Sequence, residues 1–186
     1  MKEMPKVQAG RFTPLTLTYA GVLIALNIVL SKFVSIPIGP TLRLSVSQVP
    51  LILAGIWLGP VTGGLCGLAG DMLGCLVSGY APNPFITLTA VIMGVVPALF
   101  TPFIRGAAPG TTYRDRLLRL GRIMLVLAGC MLLGSQGSTT LGLSLLYGNP
   151  FRVLWLSRLP QSLLLLVVNS LLTELLLTRI RVPGRV

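Results

Sequence analysis

Residues 14–33 carry a single charge, Lys32, and the run is as long as one helix needs to cross the hydrocarbon core of a bilayer. Five more apolar stretches follow, at about 44–58, 61–79, 84–104, 117–147 and 150–180, separated by short segments rich in proline, glycine or arginine. A chain built this way has few choices. In lipid every backbone polar group must be satisfied within the structure, which apolar runs of this length do as helices. The expectation is therefore an all-α membrane protein, one integral membrane domain over residues 1–186 with six transmembrane helices. Composition agrees: 53% of residues are hydrophobic and 10% charged, against about a quarter charged in an ordinary soluble domain. The second stretch is short for a span, and the last two exceed the roughly 20 residues a crossing needs, so they should tilt or project. No small-residue cleavage site follows the first run, which is read as a retained helix and not a signal peptide.

Charge placement sets the orientation. Of the 15 lysines and arginines, Lys2, Lys6, Arg11, Arg105, Arg114, Arg116, Arg119, Arg122, Arg179, Arg181 and Arg185 fall at one set of helix ends. Lys32, Arg43, Arg152 and Arg158 fall at the other. Both termini are expected in the cytoplasm. The formal net charge of +11 does not point to nucleic acid, because the cations sit in short loops between apolar runs with no interleaved aromatics.

The four outer cations are what the positive-inside rule does not explain. For Lys32 and Arg152 snorkelling to the headgroups suffices. Arg43, at the join between the Pro/Gly-rich loop 34–43 and the second stretch, and Arg158, near the outer end of the sixth, are read as facing an outward-opening cavity that holds an anion. An arginine dragged to a bilayer's centre costs roughly 2.5–3.5 kcal/mol on insertion scales, so each needs an interface, a cavity or a partner. Gln48, Tyr80, Asn83, Thr87, Thr89, Tyr147, Asn149 and Gln161 concentrate at the same level. Asp71 is the one carboxylate near the middle of a span, either a functional group or a structural hydrogen bond across the glycine-rich face of the third helix. Asn83-Pro84 and Asn149-Pro150 read as helix starts, asparagine capping and proline at the first position, which aims two positive helix ends at the outer side. Gly21 and Ala25, with Ala20 beside them, let another helix approach closely, inside the protein or outside it.

Chemistry is not indicated. There is no histidine, no phosphate-binding loop and no nucleophile motif, and Cys66, Cys75 and Cys130 lie inside apolar stretches as small packing residues. No metal or cofactor is expected, no enzyme activity either, and an ATP-driven machine would need its motor on other chains.

The run IPIGPTLRLSVSQVPLILAGIWLGPVTGGLCGLAGDMLG, followed by PNPFITLTA, TTLGLSLLYGNPF and, downstream, Arg158, resembles the folate-family substrate-binding (S) component of energy-coupling factor (ECF) vitamin transporters. The likeness covers residues 18–176. It implies a six-helix S-component bundle that captures a vitamin, folate or a reduced folate, from outside. Such a protein then docks on a transmembrane coupling subunit carrying two ABC-type ATPases. The family's Ala-xxx-Ala docking motif falls on Gly21 and Ala25. The implied cargo site draws on Arg43 and Arg158 for carboxylates, Phe85 and Tyr147 for rings, and Asn83, Thr87, Gln161 and Asp71 for polar edges, with residues 34–41 as a lid. Two departures stand out: STTLGLS places Thr139 and Gly142 where the family is expected to have asparagine and tryptophan. Two other readings stay open, an S component for another vitamin or a modified base, and a solitary proton-coupled carrier using Asp71.

Overall fold

The computed structural model describes residues 13–38, 42–79, 81–106, 113–148 and 150–180. Tyr80, Asn149, Lys2, Lys6, Arg11, Arg181 and Arg185 therefore lie outside the described residues. The side chains of Arg43, Arg105 and Tyr147 do as well.

Helix α1 runs Pro14–Phe33, α2 Gln48–Leu58, α3 Pro60–Ser78, α4 Pro84–Leu99, α5 Thr101–Arg105, α6 Tyr113–Cys130, α7 Thr140–Tyr147 and α8 Phe151–Arg179. A π-helical segment, Met131–Thr139, joins α6 to α7 into one continuous rod. Two departures from an all-helical reading appear. Residues 36–44 hold an antiparallel hairpin, β1 (Ile36–Ile38) and β2 (Leu42–Leu44), with Pro37 opposite Arg43. The fourth apolar stretch is broken at Phe100, which ends α4 and starts the short α5. Both follow from local chemistry: β-branched isoleucines and a proline disfavour helix at Ile36–Ile38, and Pro102 sits in the first turn of α5, where its missing N–H costs nothing.

Four of the rods are long and apolar enough to cross a membrane, at 14–33, 60–78, 114–146 and 151–179, while α2 and α4 are shorter apolar helices. Helix α2 explains the fold's centre. Its last ten residues are all buried, the behaviour expected of a helix apolar on every face. It packs against α1, α3, α4 and α8. Gly59 at φ 99° closes α2 and Pro60 opens α3 at once, so the two helices form a tight hairpin. A side chain at Gly59 would be strained in that backbone.

The α2–α3–α4 block is built on glycines. A Cβ placed on Gly55 or Gly63 would run into the carbonyl of Gly94, one on Gly94 into that of Gly63, and one on Gly67 into that of Ala90. Glycine is what lets these backbones touch, as in other membrane helix pairs. Ala20 faces this interior at 6% exposure, so it belongs to packing and not to the outer face of α1.

Candidate functional site

Arg158 lies on the inward stripe of α8. Leu154, Arg158, Leu165, Asn169 and Thr173 are all buried and recur at helical spacing. Its residue exposure is 7%, which excludes snorkelling, whereas Arg152, nearly two turns earlier, is exposed. The guanidinium donates from Nη2 to Ser135 Oγ at 3.5 Å, a long bond, and Nε and Nη1 have no hydrogen-bond partner among the described residues. The donors of a charged group thus sit inside the protein with almost nothing to receive them. That is costly unless an anion completes the site.

The π-helical segment supplies the surroundings. Its i→i+5 spacing adds a residue to the turn, and Thr140 Oγ1 donates to Ser135 O across five residues. The wider turn presents polar side chains to both neighbouring helices. Toward α8, Gln136 Nε2 donates to Ser162 Oγ at 2.9 Å, and Gln136 Oε1 is buried without a partner among the described residues. Toward α4, Ser138 Oγ donates to Phe85 O at 2.7 Å, while Thr89 Oγ1 donates to Phe85 O at 3.1 Å and Gly134 O at 3.0 Å and shares a 2.8 Å bond with Thr139 Oγ1. Thr139, the residue standing where asparagine was expected, is thereby tied into the helix interface. Gln161, half-buried, follows Arg158 by three residues on α8.

Arg43 enters by its backbone position. Strand β2 lies beside α8, so the hairpin that carries Arg43 and the helix that carries Arg158 are neighbours. Over its described part, residues 34–38, the loop expected as a lid carries β1, paired with β2 just beyond it.

The remaining candidates are placed differently. Asn83 caps α4, its Oδ1 accepting from Phe85 N at 3.0 Å, and Pro84 takes the first helical position as its sequence implies. The second Asn-Pro pair does not repeat this: Pro150 itself is the capping residue of α8, without a side-chain bond. Thr87 Oγ1 donates to Asp71 Oδ2 at 2.6 Å and lies 3.1 Å from Asn83 O. Of the two roles open to Asp71, the structure displays the hydrogen bond between α3 and α4. Gly142 sits where a Cβ would be 2.7 Å from Phe85 Cβ and 3.3 Å from both polar atoms of the Asn83 amide. An indole at that position has no room in this arrangement.

The site thus divides. Arg158 lies where α8 meets the π-helical segment, Gln161 follows it on α8, and β2, which carries Arg43, packs beside the same helix. Asn83, Phe85 and Thr87 form the adjoining start of α4, and Asp71 is joined to it through Thr87. Ser135, Gln136 and Ser162 are neighbours of Arg158 that sequence reasoning missed. The signal was present in the run SQGSTT, polar residues 135–140 within an otherwise apolar rod, which lipid would not tolerate unless they face inward. On α1, Gly21 and Ala25 are exposed, and a Cβ on Gly21 would meet nothing within 4 Å. Their small-residue face is open, not part of the internal packing.

Comparison with known proteins agrees with this architecture. The chain is 24% identical over 156 residues, 82% of each protein, to the "Folate transporter FolT" of Clostridium novyi (strain NT). Its fold matches that of FolT crystallised with folic acid, with a TM-score of 0.73, 24% identity, and 92% of this chain and 98% of that one covered. ThiT from Listeria monocytogenes matches at a TM-score of 0.63 with 17% identity over 88% and 93% of the two chains. The S component of a bacterial ECF transporter matches at 0.54, with 24% identity over 89% and 94%. The family model "ECF-type riboflavin transporter, S component" covers residues 11–181, and the chain accordingly belongs to that family of membrane transporter components, not to an enzyme family.

Proposed function

We propose that this protein captures folate or a reduced folate from outside a prokaryotic cell and delivers it by docking on a coupling subunit driven by two ABC-type ATPases. In this reading the chain crosses the membrane six times, with α2 and α4 as short spans and both termini cytoplasmic. The observation that carries the cargo assignment is Arg158, buried at 7% exposure with two donor nitrogens that have no partner among the described residues. Folate brings a glutamate with two carboxylates, and a carboxylate is the partner a planar guanidinium holds most strongly. The likeness to FolT in sequence and fold supports the same cargo.

Roles follow from position. Arg158 receives one carboxylate, and Arg43, brought to α8 on β2, receives the other or closes over it. Gln161, together with Gln136 and Ser135, offers amide and hydroxyl groups to polar edges. Phe85, and Tyr147 at the end of α7, provide ring surface. Asn83, Thr87 and Asp71 hold the start of α4 in place and reach the cargo only where it extends to that helix. Gly21 and Ala25 form the close-approach face for a helix of the coupling subunit.

A second reading is supported by the matching family model, whose name specifies riboflavin. Riboflavin carries no ionised group at neutral pH and leaves the Arg158 guanidinium without a counter-charge, so folate is the better fit. Titration calorimetry on the purified protein separates the two. Folate and 5-formyltetrahydrofolate are expected to bind one to one, and riboflavin, thiamin and biotin not to. Folded protein that binds riboflavin and no folate would reverse the assignment.

A further inference from the structure

We infer that the groove between α6 and α8, at the arginine-rich ends of these helices, holds one anionic phospholipid. The groove has a volume of about 260 Å³. Leu117, Leu120, Leu171 and Leu175 form its apolar wall, and Arg116 and Arg179 line it at the polar end. Leu117, Leu171 and Leu175 are 50–54% exposed, so the wall is open from the side, as an acyl chain entering from the bilayer requires.

Charge decides the class of occupant. Arg119 and Glu174 neutralise each other through a 2.8 Å ion pair backed by a 3.0 Å bond from Nε, and the Thr178 hydroxyl is occupied by the Glu174 backbone carbonyl at 2.7 Å. Among the described residues this is the only ion pair, so of the groove's charged lining Glu174 is balanced by Arg119, while Arg116 and Arg179 have no ion-pair partner there. Two guanidinium groups lining one groove favour an anion there, and a phosphate fits their planar donors bidentately. A leucine wall continuing from the basic end favours a phosphate that carries acyl chains over a soluble one. Glu174, which lines the groove, also keeps Oε2 buried without a donor among the described residues. In the groove the phosphate of a phosphatidylglycerol headgroup would meet the arginines. Basic pockets between membrane helices are the general setting for such recognition.

The inference rests on the family's membrane location and is independent of the cargo. Native mass spectrometry of the full chain, released from micelles containing equimolar phosphatidylglycerol and phosphatidylcholine, tests it. The expected result is retention of one phosphatidylglycerol, at least tenfold over phosphatidylcholine. The double variant Arg116→Gln/Arg179→Gln loses the preference, the Lys/Lys variant keeps most of it, and Arg114→Gln, exposed and outside the groove, leaves it unchanged. Size-exclusion profiles establish that each variant is folded. Equal retention of the two lipids, or a preference that survives the double glutamine variant, overturns the inference. So does a double variant that stops copurifying with the coupling subunit at an unaltered lipid ratio, since the groove would then be a protein-docking surface.

Discussion

Two interfaces of α4 show opposite ways of joining helices in a membrane. Against α2 and α3 it meets glycine with glycine: Gly94 lies against Gly55 and Gly63, and Ala90 against Gly67, with no side chains between the backbones. Against the π-helical segment it meets hydroxyls, with Thr89, Ser138 and Thr139 bonded across the contact. The first interface gains from dispersion and close approach and has no space to give. The second continues through Gln136 and Ser135 to Arg158, where donors and one acceptor are left over. On the proposed function the two have different tasks: a block that does not deform, and beside it a polar seam left for cargo to complete.

The largest effect is expected where the block is tightest. Gly94→Val puts side-chain atoms where the Gly63 carbonyl stands. Overpacking a core costs about 1–3 kcal/mol when side chains can adjust, and here the obstacle is backbone, which no rotamer moves. The expected outcome is loss of the monodisperse peak in detergent size-exclusion chromatography. A variant of normal profile and unfolding midpoint would mean that the two helices are less closely joined than described.

The seam should respond in the reverse sense. Arg158→Met removes a buried charge whose donors are mostly unpartnered, so the cargo-free protein should become more stable. A gain of about 1 kcal/mol appears as an unfolding midpoint higher by roughly 2–4 °C for a chain of this size. Folate affinity should fall at least tenfold, about 1.4 kcal/mol. Stability and binding moving in opposite directions is the signature of a site residue. A fall in both would make Arg158 a structural element of α8.

Within the block, α3 and α4 are also joined by the Asp71–Thr87 bond. Thr87→Val removes the donor, and interhelical hydrogen bonds in membranes average about 0.6 kcal/mol with a ceiling near 1.7, so a drop in midpoint of a few degrees at most is expected. Asp71→Asn should leave uptake in the assembled transporter within about twofold and without altered pH dependence. Uptake that becomes insensitive to the proton gradient on this change would revive the proton-coupled carrier.

How much of this was legible in the chain differs between the two interfaces for a physical reason. The helices at 14–33, 60–78 and 151–179 follow from apolar length. The Asn83 cap and the Gly59-Pro60 turn follow from residue chemistry, because those signals are local. The glycine-rich face of the third helix was also readable; that Gly63 and Gly67 meet Gly94 and Ala90 was not, since spacing carries no address. The π-helical segment left no pattern, because one extra residue in a turn changes which side chains share a face without changing composition. Thr139 was thus seen as a departure from the family while Gln136 and Ser135 were passed over. The hairpin at 36–44 read as an irregular loop, because its strands of three residues each are too short for alternation to register.

The smallest stability effect is expected from another glycine. Gly21 is exposed on α1, and a Cβ added there would have no neighbour within 4 Å. Gly21→Leu therefore has no clash to relieve, and by helix propensity alone it gains up to about 1 kcal/mol. The unfolding midpoint should stay level or rise slightly, and folate affinity should not change. Copurification of the coupling subunit should nevertheless be lost, because a leucine there holds the partner helix away from the small-residue face. Gly94 and Gly21 then form a matched pair, one glycine kept for contact within the chain and the other for contact beyond it. A lower midpoint in Gly21→Leu would return α1 to internal packing. Undisturbed copurification would move the docking face elsewhere on the exposed surface of the bundle.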